Sequence, residues 1–532
     1  RDLVAADRLA RGWRLACQAR VTGPLEACLT VAEAPRPGKG FAASGRVLPL
    51  KPAVRRRAVG LPPVEAKDPR ANWERLAAAL GVPARPDLWS CLGLAGWEHD
   101  RAEFSVLVRP GGPAGLAPPG RLLGAVFDLG TTTVVGGLVD LEDGSLLAVR
   151  TAFNAQRVFG ADVVARLGRA ASGETSTLRD RIRGQARAML LALLAETGAS
   201  PDNVVDLVIV GNTAMEHLFL GLDVKGLTAL PFVPVHQAGL AVPAACLELP
   251  AHPGALVYFP PNLAGFIGAD TAAGLVATDL PARRGPSLFM DLGTNGELVL
   301  AHQGRLWACS TAAGPAFEGA EISCGMAGLP GAIERVAFQD GDLRVETIGG
   351  EAPRGLCGSG LIDAVVSLRE AGAVDATGRL TEENLPPALA GRLRRGGRGH
   401  EVVLSSAGDR EVVLTQGDIR QTQLAKGAIA AGVRLLCRAA GIEPGELREV
   451  LLAGTFGRHV DAAKAARLGL LPGIPLAGVR AIGNAAGEGA RLMLTHAPCR
   501  DEAEALVGRV QVLELAADPE FQTVFAEEMM FA

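Results

Sequence analysis

Short apolar runs of strand length alternate along this chain with longer amphipathic segments of helix length, a pattern typical of α/β proteins. Two of the apolar runs belong to nearly identical phrases, residues 127–133 (FDLGTTT) and residues 290–296 (MDLGTNG). In each phrase the apolar run ends at Asp, a Gly-containing turn follows, and a second β-rich run begins. Each copy therefore predicts a β-hairpin.

Other elements follow from the spacing of apolar residues and from the residues that end helices. The pattern predicts a helix over 177–197 that ends at Gly198, and a buried strand over 204–210. Nearer the amino terminus it predicts a helix over 68–80 and a strand over 104–108.

A long helix is predicted in the last third of the chain. Asp418 is its expected N-cap, Gln421 occupies the position of the capping-box partner, and Gly441 ends it.

The residue types in the two Gly-containing turns suit phosphate. Gly lets the backbone approach an anion closely, successive turn amides form an anion-binding nest, and Thr and Asn side chains add donors. The Asp of each phrase, Asp128 or Asp291, supplies a carboxylate for Mg²⁺ through water, and Glu297 adds a carboxylate just past the second turn. The turn candidates are Gly130, Thr131, Thr132, Thr133, Gly293, Thr294, Asn295 and Gly296. Two copies at domain-scale separation predict two similar lobes that hold one nucleotide from both sides.

Two further stretches combine Gly with small polar residues at the boundary of an apolar element. One follows a predicted central strand, where α/β sheets bind ligands, although strand-end turns without a function are equally common. The other runs into an apolar helix, which favours either an anion at the helix N-terminus or close helix packing. The two stretches are Gly211, Asn212 and Thr213, and Gly358, Ser359 and Gly360.

The paired turns resemble the phosphate hairpins of the actin, sugar-kinase and heat-shock ATPase superfamily. No G-x-x-x-x-G-K-[ST] phrase occurs, so a Walker-type site is not the route to ATP. The resemblance implies an α/β fold, a two-lobed actin-like ATPase with duplicated ribonuclease H-like lobes. The domain spans 122–532, with lobes over about 122–286 and 287–532.

The same resemblance implies roles for residues outside the two turns. Asp270 would orient the attacking water, a role that competes with simple helix capping. Residues 450–457 (VLLAGTFG) look like the adenosine motif. Gln423 and Lys426 would reach the adenosine side of the cleft, although by themselves they are ordinary solvent-facing residues. The adenosine-turn candidates are Gly454, Thr455 and Phe456.

Composition narrows the function classes. The 532 residues have 48% hydrophobic content and a net charge of −4, which fits large buried cores and gives no reason to expect nucleic acid or a membrane as partner. No apolar run approaches the roughly 18 residues of a membrane span. Nine scattered cysteines without a C-x-x-C pair indicate a reducing cytoplasm.

Three segments precede the ATPase domain. Residues 1–33 resemble the end of a plant-type ferredoxin, in which Cys17 would be the fourth ligand of a 2Fe-2S cluster. The first three ligands are absent, so this chain alone cannot bind the cluster, and for the chain as written an ordinary buried thiol is the better explanation of Cys17. Residues 34–58 are predicted to be a linker, and residues 59–121 a small α+β middle domain.

Several phrases together resemble the reductive activators of corrinoid proteins, and the resemblance covers essentially the whole chain. It implies ATP-dependent return of a corrinoid methyltransferase protein from Co(II) to Co(I), with ATP and Mg²⁺ bound here and the electron supplied by a 2Fe-2S domain or a separate low-potential donor. The phrases are AFNAQRVFGADVVARL (152–167), GNTAMEHLFLG (211–221), MDLGTNGELVL (290–300), STAAGPAFEGAEISCGM (310–326), CGSGLIDAV (357–365) and AGTFG (453–457).

Three alternatives stay open at this point. One is a small-molecule kinase of the same superfamily, and another is an activator of radical dehydratases, which would need closely spaced surface cysteines to bridge a 4Fe-4S cluster across a dimer. The third is a scaffold that uses nucleotide as a conformational latch. The sequence is silent on oligomeric state, so a homodimer also stays open.

Overall fold

The computed structural model describes most of the chain from residue 46 onward. It covers residue 41 and residues 46–531, apart from residues 63, 65–66, 68–69, 83–84, 98–102, 161, 384, 398, 408–410 and 455–459. The predicted ferredoxin end with Cys17 lies outside the described residues, and so do Thr455 and Phe456.

A small antiparallel sheet, in the order β1-β2-β3, precedes the two lobes. Its strands and helices are β1 (Arg55–Gly60), α1 (Asn72–Leu80), α2 (Leu88–Leu92), β2 (Glu103–Arg109) and β3 (Gly112–Leu116). The predicted strand over 104–108 is confirmed as β2, and α1 ends at Gly81 in the left-handed conformation that glycine favours. Strand β1 begins inside the range predicted as linker, because its arginines pair with β2.

The first lobe is built on a six-stranded sheet in the order β6-β5-β4-β7-β9-β8. Strands β4 and β5 form the first predicted hairpin, whereas β7 and β9 run parallel to β4. Helix α4 ends at Gly198, and β7 is buried along its length, as predicted. The elements are β4 (Leu123–Leu129), β5 (Thr133–Asp140), β6 (Leu146–Phe153), α3 (Val163–Arg169), α4 (Thr175–Thr197), β7 (Val204–Gly211), α5 (Thr213–Leu220), β8 (Leu240–Pro243), β9 (Leu256–Phe259) and α6 (Ala269–Thr278).

The second lobe repeats this plan on a sheet in the order β20-β19-β10-β11-β12-β21. Strands β10 and β11 form the second predicted hairpin. Two three-stranded sheets, β14-β13-β15 and β16-β17-β18, are inserted before the long helix α9. The elements are β10 (Ser287–Leu292), β11 (Gly296–His302), β12 (Arg305–Thr311), β13 (Ala332–Gln339), β14 (Asp342–Thr347), β15 (Gly355–Leu356), α7 (Gly358–Glu370), α8 (Pro387–Ala390), β16 (Leu393–Gly396), β17 (Gly399–Ser405), β18 (Val412–Thr415), α9 (Gln416–Ala440), β19 (Glu449–Ala453), α10 (Ala462–Leu468), β20 (Val479–Gly483), α11 (Ala485–Thr495), α12 (Pro498–Glu504), β21 (Val510–Val512) and α13 (Phe521–Glu528).

The duplication is visible in strand order and direction. The run β6-β5-β4-β7-β9 corresponds strand for strand to β12-β11-β10-β19-β20, with two antiparallel and two parallel pairings in each. The Asp of each repeated phrase therefore lies near the carboxyl end of the central strand of its sheet, at Asp128 in β4 and Asp291 in β10. This architecture confirms the predicted two-lobed actin-like fold.

Helices α6 and α11 pack against each other between the two sheets. A Cβ atom added at Gly489 of α11 would lie 2.0 Å from the carbonyl oxygen of Ala273 in α6, so only glycine permits this approach. Side chains of both helices share one buried core with Val126 of the first sheet and Phe289 of the second. The small residues of the two helices thus set how closely the lobes approach.

The predicted start of α9 is wrong by three residues. Thr415, not Asp418, is the N-cap, and Asp418 occupies the capping-box position that had been predicted for Gln421. The Thr415 hydroxyl accepts from the Asp418 amide at 3.2 Å, and the Asp418 carboxylate accepts from the Thr415 amide at 2.8 Å. The sequence contains two overlapping capping signals, one that begins at Thr415 and one that begins at Asp418. The helix uses the first because strand β18 ends at Thr415.

Two further findings concern the described residues as a whole. None of their helices combines the length and the apolar character needed to cross a membrane. Seven cysteines fall within them, and all seven are unbridged.

Candidate nucleotide site between the lobes

The two Gly-containing turns meet between the lobes. The Thr132 and Thr294 hydroxyl oxygens lie 3.4 Å apart. Both hydroxyls donate to one carboxylate oxygen of Glu318, over 2.6 Å from Thr132 and 3.0 Å from Thr294. Two turns that are far apart in the sequence thus present their donors to the same point.

The first turn is held in shape by its own backbone and by Asn154. A Cβ at Gly130 would lie 2.6 Å from the Thr133 carbonyl oxygen, which accounts for glycine there. The Asn154 side-chain amide donates to the Gly130 carbonyl at 2.9 Å, and its backbone amide donates to the Thr132 carbonyl at 2.9 Å. In the second turn, the Gly293 amide donates to the Asn295 carbonyl at 2.9 Å. Hydrogen bonds within the chain thus hold both turns closed.

The strand-end stretch after β7 also reaches the first turn. Asn212 caps α5 by accepting from the Met215 amide, and its side-chain amide donates to the Thr131 hydroxyl at 3.1 Å. Thr213 donates instead to the Ala264 carbonyl at 2.6 Å, away from the turn. Asn212 thus has both a structural task and a position beside the turn.

Four carboxyl groups gather beneath the turns, and burial is the largest cause of a raised pKa in every one. Burial raises the pKa of Asp128 to about 6, against a hydrogen bond from Asn484. Burial and then the charge of Asp128 raise the pKa of Asp291 to about 7. For Asp270, burial and then the charges of Asp291 and Asp128 raise the pKa to about 8. Burial, then Asp270 and Asp291, hold the pKa of Glu297 well above its ordinary value. The acids repel one another, so the cluster favours either protons or a cation.

The chemistry of this cluster fits Mg²⁺ retained with part of its water. Asp291 accepts no hydrogen bond within the described part of the chain, and mutual repulsion destabilises the ionised cluster. No group of three or more His, Cys, Asp or Glu side chains among the described residues is placed to bind a metal directly. Water-mediated binding through Asp128 and Asp291, with the remaining ligands from phosphate, suits an ion that dehydrates reluctantly.

Asp270 is not the N-cap of α6. Gly268 holds that position, and Asp270 lies in the first helical turn, where its carboxylate accepts from the Thr271 amide at 2.7 Å. Asp270 as the N-cap residue is therefore wrong, although its carboxylate pairs with one amide of the first turn of α6. The charges of Asp291 and Asp128 also act on this carboxylate. A role in orienting water stays a prediction.

The adenosine-side candidates are distributed differently from the expectation. Gly454 has a φ of +84°, and a Cβ there would lie 2.8 Å from an Asp291 carboxylate oxygen, so this turn directly adjoins the acid cluster. Gln423 and Lys426 are buried, not solvent-facing, and donate to the carbonyls of Met529 and Met530 at 2.9 and 2.6 Å. Gln423 also donates to the Thr377 carbonyl at 3.0 Å. A contact of either side chain with adenosine stays a prediction.

Close packing explains one glycine of the stretch that opens α7. A Cβ at Gly360 would lie 2.1 Å from the Ile333 carbonyl oxygen, and Gly358 is also buried. Ser359 lies 3.3 Å from the Cys357 sulfur. An anion at this helix end stays a prediction.

Two residues of the site, Asn484 and Glu318, were not predicted from the sequence. Asn484 caps α11 in the second lobe, and its side-chain amide donates to Asp128 of the first lobe at 2.8 Å. Glu318 ends a short 3-10 helix (Pro315–Glu318) after β12. Asn before an Ala-rich helix signals only an N-cap, and a single Glu in a Gly-rich loop signals nothing specific, so neither contact across the lobes was visible.

Two family models match consecutive parts of the chain, which together run from residue 123 to residue 532. The model described as the "RACo middle region" matches residues 123–283, and the model described as the "C-terminal domain of RACo the ASKHA domain" matches residues 285–532. The two matches meet where the first lobe gives way to the second.

Curated relatives and a solved structure point in the same direction. The chain is 35% identical over 419 residues to the "Corrinoid activation enzyme RamQ" of Eubacterium limosum, covering 77% of this chain and 70% of that protein. It is 30% identical over 239 residues to the "[Co(II) methylated amine-specific corrinoid protein] reductase" of Methanosarcina barkeri, covering 41% of this chain and 40% of that protein. The solved "Reductive activator for corrinoid,iron-sulfur protein" superposes with a TM-score of 0.80 at 30% identity, covering 91% of this chain and 80% of that one.

Proposed function

Because the chain belongs to the RACo family of reductive activators of corrinoid proteins, we propose that it couples ATP hydrolysis to the one-electron reduction of a corrinoid methyltransferase protein from Co(II) to Co(I). The observation that carries the nucleotide part is the meeting of Thr132 and Thr294, one from each lobe, at one carboxylate oxygen. A site shared by two lobes responds to a ligand by changing how the lobes fit together.

The residues around this point supply what a triphosphate requires. Turn amides and the Thr131, Thr132 and Thr294 hydroxyls are donors for phosphate oxygens. Asp128 and Asp291 would hold Mg²⁺ through water, and the ion would neutralise charge that develops on the phosphates. Asp270 and Glu297 are the remaining carboxyl groups of the cluster. They are our candidates to orient the attacking water, because both face Asp291 closely enough for its charge to raise their pKa.

Coupling to electron transfer requires that the nucleotide bind two lobe arrangements with different affinity. The lobes touch at Asn484 and Asp128, at Thr132 and Thr294, and along α6 and α11. A nucleotide that alters these contacts changes the surface offered to the corrinoid protein. For a one-electron couple, each increment of about 59 mV in the unfavourable potential difference lowers the equilibrium constant for reduction by a factor of ten. ATP hydrolysis would offset this unfavourable difference.

The electron donor is a separate part of the proposal. Cys17 as a 2Fe-2S ligand stays a prediction outside the described residues. The electron then comes from a cluster in a longer form of the protein or from a separate low-potential donor. The seven cysteines of the described residues are unbridged, which supports the proposal of a reducing cytoplasm.

The direct test combines this chain, MgATP, a reduced low-potential donor and a Co(II) corrinoid protein, and follows the visible spectrum. Co(I) should form only when all four are present, and a non-hydrolysable ATP analogue should not replace ATP over repeated turnovers. ATP hydrolysis that depends on a sugar and ignores the corrinoid protein would favour the kinase alternative instead.

The raised pKa values predict a stability that falls with pH. The pKa of Asp291 is about 7 in the folded protein and near 4 when unfolded, so between these values the folded form holds a proton that the unfolded form has lost. Unfolding free energy should therefore decline as pH rises from 5.5 to about 7. Asparagine at position 291 cannot ionise, so the unfolding free energy of Asp291→Asn should gain about 2 kcal/mol relative to the wild type between pH 5.5 and 7, at roughly 1.4 kcal/mol per pH unit. The difference should then stay nearly constant up to pH 8.5.

Urea unfolding of both proteins at these three pH values, in a chelator, measures this difference. Mg²⁺ with ADP should stabilise the wild type more at pH 8.5 than at pH 5.5, because a cation competes with protons for the carboxylates. Parallel pH profiles for the two proteins would contradict the acid cluster.

A further inference from the structure

The carboxylate of Glu318 uses donors from both lobes at once. Thr132 belongs to the first lobe and Thr294 to the second, and both hydroxyls converge on Oε2 of Glu318. The 2.6 Å contact from Thr132 has the length of a charge-assisted hydrogen bond. An anionic oxygen of this chain therefore sits where our proposed function needs the oxygens of a phosphate.

A second observation is a buried cation of the first lobe on which the charge of Glu318 acts. Arg166 of α3 is fully buried, and its Nη2 has no hydrogen-bond partner among the described residues. Its other contacts are to the Gly160 carbonyl at 3.0 Å and to the Met215 sulfur at 3.5 Å. A buried guanidinium with an unused donor is unstable without a nearby negative charge.

Arg166 is linked both to the first turn and to Glu318. The Met215 sulfur that Arg166 contacts also lies 3.9 Å from the Asn154 side-chain amide, which donates to the Gly130 carbonyl. Burial lowers the pKa of Arg166 to about 10, while the charges of Asp162 and Glu318 act in the opposite direction. The charge of Glu318 in the second lobe thus acts on the buried Arg166 of the first lobe.

The backbone around Glu318 fixes its position. Gly314 and Gly319 flank the short helix with φ of 75° and 78°, values that favour glycine. A Cβ at Gly319 would lie 2.4 Å from the Met326 carbonyl oxygen, so the loop is packed tightly behind the carboxylate. Glu318 is presented to the two turns by a closely packed loop.

We propose that Glu318 is an internal competitor of the nucleotide's phosphate. Its carboxylate joins the two turns by accepting from the Thr132 and Thr294 hydroxyls, and both hydrogen bonds must break when a phosphate binds there. The inference rests on the proposed function, because it assumes that nucleotide binds at these turns. Its consequence is that nucleotide binding breaks the hydrogen bond between Thr132 of the first lobe and Glu318 of the second. The phosphate then joins the two lobes in place of Glu318. Glu318 thereby sets nucleotide affinity and ties it to lobe movement.

The test compares Glu318→Gln with Glu321→Gln. Both substitutions remove one negative charge from the same loop, but Glu321 is exposed and forms the matched control. Glu318→Gln should bind MgADP about tenfold more tightly than the wild type, because a like charge beside the phosphates is removed. In protein without added nucleotide, the amides of residues 129–133 and 293–296 should exchange hydrogen faster in this variant, whereas Glu321→Gln should match the wild type in both measurements.

The outcomes separate this inference from the proposed function. A wild type that binds neither MgADP nor MgATP contradicts the proposed function itself. A wild type that binds them, with Glu318→Gln binding equally or more weakly, overturns the competitor role alone. Unchanged affinity with a large loss of hydrolysis in Glu318→Gln would also overturn it, since the carboxylate would then act on the reaction.

Discussion

Replacing Asp291 with asparagine is expected to lower ATP hydrolysis by at least about 100-fold while the protein stays folded. The amide keeps the shape of the side chain at the end of β10 but removes the negative charge offered to the cation. Because the ionised group is repelled by Asp128 and accepts no hydrogen bond among the described residues, its loss should not cost stability. A gain in stability together with a loss of turnover is the signature expected of a functional carboxylate.

Steady-state hydrolysis and urea unfolding of Asp291→Asn, side by side, measure the two effects. Asp340→Asn is the matched control, because Asp340 is an exposed carboxylate of the same lobe at a φ of 52°, which asparagine tolerates. Asp128→Asn should also lose turnover, but it weakens the bond from Asn484 as well, so Asp291 gives the cleaner result. Near-wild-type turnover in both variants would contradict the phosphate and Mg²⁺ assignment.

Adding a single methyl group at Gly489 is the second change with a large expected effect. The new Cβ in Gly489→Ala would lie 2.0 Å from the Ala273 carbonyl oxygen and 2.4 Å from its carbon, and both are backbone atoms. Helices α6 and α11 must then separate, which should cost roughly 2–3 kcal/mol of unfolding free energy, the upper range for overpacking. Since these helices set the spacing of the lobes, hydrolysis per folded molecule should fall at least about tenfold, as reacting groups tolerate little misplacement.

Gly184→Ala is the control for this prediction. Gly184 lies inside helix α4, and an added Cβ there meets nothing within 4 Å. Alanine in place of an unhindered helical glycine should stabilise the protein by up to about 1 kcal/mol and leave hydrolysis unchanged. Equal stability of Gly489→Ala and wild type would show that the two helices tolerate separation, and the lobes would then not be coupled through them.

Local signals in the sequence were reliable where neighbouring residues decide the structure. The Gly198 and Gly441 helix ends, the buried strand β7 and both hairpins form as predicted, because each depends on contacts within a few residues. The start of α9 was misplaced because two capping signals overlap, and the end of β18 chooses between them.

Hydrogen bonds between residues far apart in the sequence could not be predicted from local signals. Glu318 receives a hydrogen bond from Thr132 across 186 residues, and Asn484 donates to Asp128 across 356. The buried Gln423 and Lys426 donate to carbonyls of the segment after α13, more than a hundred positions away. A polar side chain has the same local pattern whether it faces water or a distant segment, so the sequence does not tell these cases apart.

The repeated Asp-Leu-Gly-Thr phrase alone determined that there are two turns of one kind, because a Gly-containing corner after a strand is a local preference of the backbone. Only the tertiary structure decided that these turns share one carboxylate and stand above four crowded acids. That arrangement depends on the close approach of α6 and α11, which sets the two sheets at the distance where hydroxyl groups and charges of different lobes act on one another.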